Sequence, residues 1–159
     1  MVNFNSEIIS GQSIGDIFIG DNIDGYLSEM YSNHKINTRK YGVPKEKNRI
    51  VYIIDNTIKV ITDDFGKIIS LGCNEGYKGH YKSILYAGQE MKNIKEKTLR
   101  QRIFNGSIII NDDFGFSFVI PPPYDELADS IEDMPGDLLL KEIYVGDFSL
   151  WNPQNLICK

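Results

Sequence analysis

The tetrapeptide Asp-Asp-Phe-Gly occurs twice in this chain, at residues 63–66 and 112–115, each time between runs that read as β-strands. "TIKVIT" precedes the first copy and "KIISLGC" follows it; "SIIIN" precedes the second and "FSFVI" follows it. Such β-branched and aromatic runs fit a pleated, half-buried surface. A short Asp-rich segment ending in Gly between two of them is the pattern of a hairpin. Asp favours the opening of a type I turn, and Gly supplies the left-handed residue that re-enters the second strand. The two copies therefore commit two separate stretches to antiparallel pairing.

A metal-binding reading of the same letters fails on context. A protein kinase sets its Asp-Phe-Gly beside a glycine-rich phosphate loop, a strand lysine and a catalytic-loop Asp and Asn, and this sequence carries none of them. Dinucleotide and phosphate-loop fingerprints are absent as well. No cofactor and no metal site is expected.

The remaining pattern fills in around the hairpins. "RIVYIID" adds a strand ahead of "TIKVIT", giving a three-strand meander, and "LLLKEIYVGDFSLW" supplies a strand that returns to the centre of the sheet. Ile14, Ile17 and Ile19 mark a strand near the start. A short helix follows, with Asp21 as N-cap and Ile23, Tyr26, Leu27, Met30 and Tyr31 on one face. "YKSILYAGQEM" reads as a strand, and Ile94, Thr98, Leu99 and Ile103 fall at helical spacing, stopped by Asn105-Gly106. "PPPYDELADSIEDMPGD" ends a strand at its prolines and opens a short acidic helix with Leu127, Ile131 and Met134 as its apolar stripe. The expected fold is a single α+β domain over residues 1–159, mostly antiparallel sheet in hairpins and meanders, with two or three short helices. Helix then hairpin occurs twice, which leaves an internal duplication open. Trp151, at a strand end, is expected in the core.

Charge is segregated along the chain. Residues 1–34 carry five acids and no Lys or Arg; residues 35–102 carry fifteen bases and seven acids. Residues 103–137 hold eight acids and no base: Asp112, Asp113, Asp125, Glu126, Asp129, Glu132, Asp133 and Asp137. A base-free stretch of this kind produces a negative field that repels nucleic acid and attracts a basic partner. The basic segment 33–49 contains Gly42 and Pro44 and reads as a long exposed loop without the interleaved aromatics of a single-strand-binding groove. No apolar run approaches the length of a membrane span, and the N-terminus lacks a signal-peptide pattern. Cys73 and Cys158 have no ligand or disulfide spacing. A cytoplasmic protein that binds neither membrane nor nucleic acid is expected.

Nucleophilic catalysis needs a nucleophile and a base that can meet. His80 and Cys73 are the best pair the sequence offers, without any motif around them. Adjacent acids in hairpin turns point to solvent and do not face each other across a cleft as glycoside chemistry requires.

The segments "SIGDIFIGDNIDGYL", "YIIDNTIKVITDDFGKIISLGC", "YAGQEM" and "IEDMPGDLLLKEIYVGDF" together resemble the small cytoplasmic immunity proteins of bacterial polymorphic toxin systems, in particular the immunity partners of contact-dependent growth inhibition toxins. The resemblance is one of pattern and carries no catalytic residue over. It implies a non-enzymatic inhibitor that binds a cognate toxin domain, often a basic nuclease, and occludes its active site. The eight acids would form the toxin-binding surface, with Tyr124 and Phe116 as apolar anchors. Two alternatives stand beside this reading: a ligand-binding or scaffold domain without a toxin partner, and a small hydrolase using His80 and Cys73.

Overall fold

The structure, a computed structural model, describes residues 1–42 and 48–153. Cys158 and the middle of the basic segment, including Pro44, lie outside the described residues. From the N-terminus the chain forms β1 (Ser13–Ile14), β2 (Ile17–Phe18), α1 (Asp24–Asn33), β3 (Ile36–Tyr41), β4 (Arg49–Ile54), β5 (Ile58–Thr62) and β6 (Ile68–Cys73). It continues through β7 (Gln89–Glu90), α2 (Met91–Lys97), β8 (Gln101–Phe104), β9 (Ser107–Ile110), β10 (Phe116–Val119) and α3 (Tyr124–Leu127). A 3-10 turn (Ile131–Asp133), β11 (Leu139–Leu140), β12 (Ile143–Val145) and a second 3-10 turn (Ser149–Trp151) complete it.

Eight strands pair in the order β3-β4-β5-β6-β12-β10-β9-β8, every junction antiparallel. The domain is α+β with three short helices, as the patterning predicts. Both Asp-Asp-Phe-Gly copies are hairpin turns, and β12 sits at the centre of the sheet. The two copies work differently, however. In the first, Gly66 is left-handed (φ +83°) and Asp63 Oδ1 accepts the amides of Phe65 and Lys67 at 2.9 and 3.0 Å. In the second, Asn111 and Asp112 take the left-handed conformation (φ 53° and 56°). Gly115 is there for space: a Cβ on it would stand 2.4 Å from Ser10 Oγ and 2.8 Å from the Gly11 nitrogen.

One face of the sheet makes the core. Ile54, Ile58, Val60, Leu71, Phe116, Phe118, Ile143 and Val145 are buried there with Ile14, Ile17, Met30, Leu85 and Ile94 from the covering segments. Each such side chain contributes roughly 1.5–3 kcal/mol. In α1 the capping oxygen belongs to Asn22, which receives the Asp24 amide at 2.9 Å, while Asp21 accepts the Tyr26 hydroxyl at 2.6 Å.

Four expectations are corrected. Residues 101–104 form β8 rather than the end of a helix, because Asn105-Gly106 is a two-residue hairpin turn (φ 47° and 75°) that pairs them with β9. The stretch after Tyr81 turns back at once, since Lys82 and Ser83 are both left-handed. The basic segment opens as an edge strand, β3, which pairs with β4 through its backbone while its side chains stay mostly exposed. The acidic helix lasts one turn: the chain extends at Ala128, leaves Leu127 exposed, and re-coils at Ser130, whose hydroxyl and the Asp133 carboxylate form a reciprocal cap.

Candidate functional site

Several of the acids in the base-free stretch are engaged within the fold. Arg102 Nε and Arg100 Nη1 donate to the Asp112 carboxylate at 2.7 and 2.9 Å, and these guanidiniums hold its carboxyl below the ordinary range. Asp113 is turned inward, accepting the Tyr81 and Ser10 hydroxyls and the Gly115 amide. Lys95 Nζ donates to both oxygens of Glu132 at 2.7 and 2.8 Å. Asp133 accepts the amides of Asp129 and Ser130. Asp125 packs against the Gly106 turn. Glu126, Asp129 and Asp137 remain exposed. Lys95 of α2, Arg102 of β8 and Arg100 just before it thus pair with two of the eight acids of the segment that sequence shows as base-free.

Of the two anchors, Phe116 is corrected. Phe116 is fully buried, stacked on Tyr81 at 4.1 Å between ring centres and edge-on to Phe118 at 5.3 Å. It cannot meet a partner without unfolding the core. Tyr124 is half-buried against that core. His80 and Cys73 are not brought together: His80 is exposed, meets the Tyr86 ring at a tilt and lines a hollow with Asn5, Glu7 and Ser83. Cys73 is buried on β6, and burial, with a smaller contribution from Glu142, pushes its thiol up to about 12. A thiol at that value is almost wholly protonated at neutral pH, so it is a poor nucleophile.

The feature that stands out lies on the opposite side of the sheet from the core. β4 reads Arg-Ile-Val-Tyr-Ile-Ile, apolar at both parities, which is the composition of a strand covered on both faces. Ile54 points into the core, whereas Val51 and Ile53 point the other way beside Ile61 of β5, directly opposite Val51 in the pairing. Arg39 and Tyr41 of β3 lie opposite Val51 and Arg49, and Lys59 lies opposite Ile53. Together these residues line an open groove of about 680 Å³.

Tyr144 of β12 walls one side of the groove. Its ring lies over Gly72, where a Cβ would come within 2.5 Å of Cε1, so glycine is what lets the ring lie on the strand. Glu142 lines a smaller hollow beside the groove and borders a separate one of about 340 Å³ between Val119, Pro121, Pro122 and Leu139. The β8 end of this outer face is closed instead by the chain's own aromatics. Trp151 stacks on Phe148 at 5.1 Å and on Phe104 at 6.1 Å, and Ile109 is fully buried apart from the main core. Trp151, expected in the core, is a half-buried cover on the outer face.

Among the described residues no helix is long and apolar enough to cross a membrane, and no group of three His, Cys, Asp or Glu side chains could hold a metal ion. No protein-family model matches the chain, and comparison with curated proteins and with solved structures returns no match.

Proposed function

We propose that this protein is a non-enzymatic, immunity-type inhibitor that binds a cognate toxin domain, and that it binds through the open half of the sheet's outer face. The observation that carries the reading is the apolar strip Val51–Ile53–Ile61, which the fold leaves at the floor of a cation-lined groove. An apolar centre rimmed by charge is the anatomy of a protein interface. The sequence resemblance supplies the class of partner. The acidic segment becomes secondary, because Arg100, Arg102 and Lys95 already occupy two of its carboxylates.

The test is calorimetry of the full chain against the toxin domain encoded beside its gene, at two salt concentrations. One-to-one binding is the expected result. Arg39→Glu with Lys59→Glu should weaken it at least about 100-fold, whereas Glu126→Gln with Asp129→Asn should change it less than about threefold. Absence of binding by the unaltered chain overturns the inhibitor reading.

A further inference from the structure

The groove also specifies what it takes. Arg39, Arg49 and Lys59 stand around it, and among the described residues no acid lines it. Glu142 lies 3.8 Å from Lys59 at the far side, and with the two side chains 38% and 41% exposed, solvent screening leaves the pair weak. In the sheet register Arg39 is two strands and about two residues from Lys59. With strands spaced about 4.8 Å apart and residues about 3.4 Å, their backbones are roughly 12 Å apart. Val51 and Ile61 occupy the space between. The arrangement is a pair of cations flanking an apolar strip, and its complement is a segment with carboxylates on either side of an apolar side chain.

Two observations favour a protein over a nucleic acid as the source of those negative charges. A single-strand groove needs several aromatic faces free to stack on bases. Here Tyr144 lies against Gly72, and Tyr41 is the aromatic at the rim that stays exposed. The chain as a whole also carries −5, which opposes a polyanion while leaving a compact acidic spot attractive to the groove. The groove's lining itself draws on β3, β4, β5 and β12, a footprint across several strands that suits an extended protein segment.

We infer that the groove docks an acidic segment of a protein partner, its carboxylates bridging Arg39 and Lys59 while an apolar side chain covers the half-buried Ile53 and Ile61. The inference rests on the inhibitor reading only for the partner's being a toxin domain. A nuclease would present such a surface where carboxylates gather around a catalytic metal.

The experiment titrates the ¹⁵N-labelled full chain with poly-L-glutamate and, separately, with oligothymidylate of matched charge. Poly-L-glutamate should move the amide resonances of Arg39, Val51, Lys59 and Ile61. Its apparent affinity should fall at least about tenfold between 20 and 150 mM salt, and the shifts should vanish in Arg39→Gln/Lys59→Gln, a variant chosen because neutral side chains at these positions preserve the fold. No shifts, shifts elsewhere on the chain, or tighter binding of oligothymidylate would overturn the inference. The two readings fail separately. A toxin domain that binds the unaltered chain and the double variant equally removes acidic docking and leaves the inhibitor. Glutamate binding in the groove without any toxin binding leaves the docking site and removes the inhibitor.

Discussion

The Tyr81 hydroxyl donates to the carboxylate of Asp113, which also receives the Ser10 hydroxyl from the other end of the chain. Three segments distant in sequence are pinned at this one side chain. Burial, then the Asp113 hydrogen bond, pushes the Tyr81 hydroxyl's pKa up, so it stays a donor throughout the neutral range. Asp113→Ala strands two hydroxyls and the Gly115 amide, and should cost about 2–3 kcal/mol. That corresponds to a fall in Tm of about 4–12 °C for a chain of this size. Asp63→Ala, one position earlier in the first copy, removes only that turn's cap on the Phe65 and Lys67 amides and should cost visibly less. Urea unfolding of both variants checks this; equal losses would show that the copies are structurally equivalent.

Gly72→Ala should disturb the groove without touching a charged residue. Its Cβ would enter the space of the Tyr144 ring, forcing the ring away at a cost of about 1–3 kcal/mol. In a Tyr144→Ala background the same change should cost little, so a double-mutant cycle reports the coupling directly. Additive losses would mean that the two residues do not meet.

Asp112 gives the domain an acid-sensitive contact. Its folded pKa lies below the ordinary 3.8 because Arg102 and Arg100 donate to it. The ion pairs therefore stabilise fully above that ordinary value and are lost as pH falls through the lower folded one. The carboxylate is 41% exposed, so solvent screening keeps the contribution under about 1 kcal/mol. Thermal melts from pH 7 downwards should show Asp112→Asn less stable at neutral pH and converging with the unaltered chain in strong acid.

Cys73 should be chemically silent while the domain is folded. In a Cys158→Ser chain at pH 8, labelling by a disulfide reagent should run at least about 100-fold slower than for a free thiol, and urea should restore the rate. Rapid labelling of the folded chain would place a reactive thiol on the surface and return His80 and Cys73 to consideration as a catalytic pair.

The hairpins, the central position of residues 143–145 and the α+β class were legible because each rests on local chemistry: alternating β-branched residues, and Asp, Asn or Gly where the chain must reverse. Residues 98–104 misled because helical spacing and a strand next to an Asn-Gly turn share the same letters, and pairing with Ile108 and Ile110 decides between them. The pairing within the acidic segment was not legible, for a different reason. A charge run along the sequence does not report which bases fold against it, and Lys95, Arg100 and Arg102 come from just outside its boundary. The groove was partly visible in "RIVYII", whose unbroken apolar run asks for cover on both faces. Which face would lack that cover depends on where Phe148 and Trp151 pack, and nothing local sets that.

β12 joins two otherwise separate β-meanders, residues 36–73 and residues 101–119, by pairing with β6 on one side and β10 on the other. Without those three residues each meander ends in a bare strand edge, rich in apolar side chains and open to any other chain in solution. A ribosome that has not yet released residue 145 therefore holds a nascent chain with two sticky borders. Chaperone occupancy during synthesis should persist until that strand is available to close the seam.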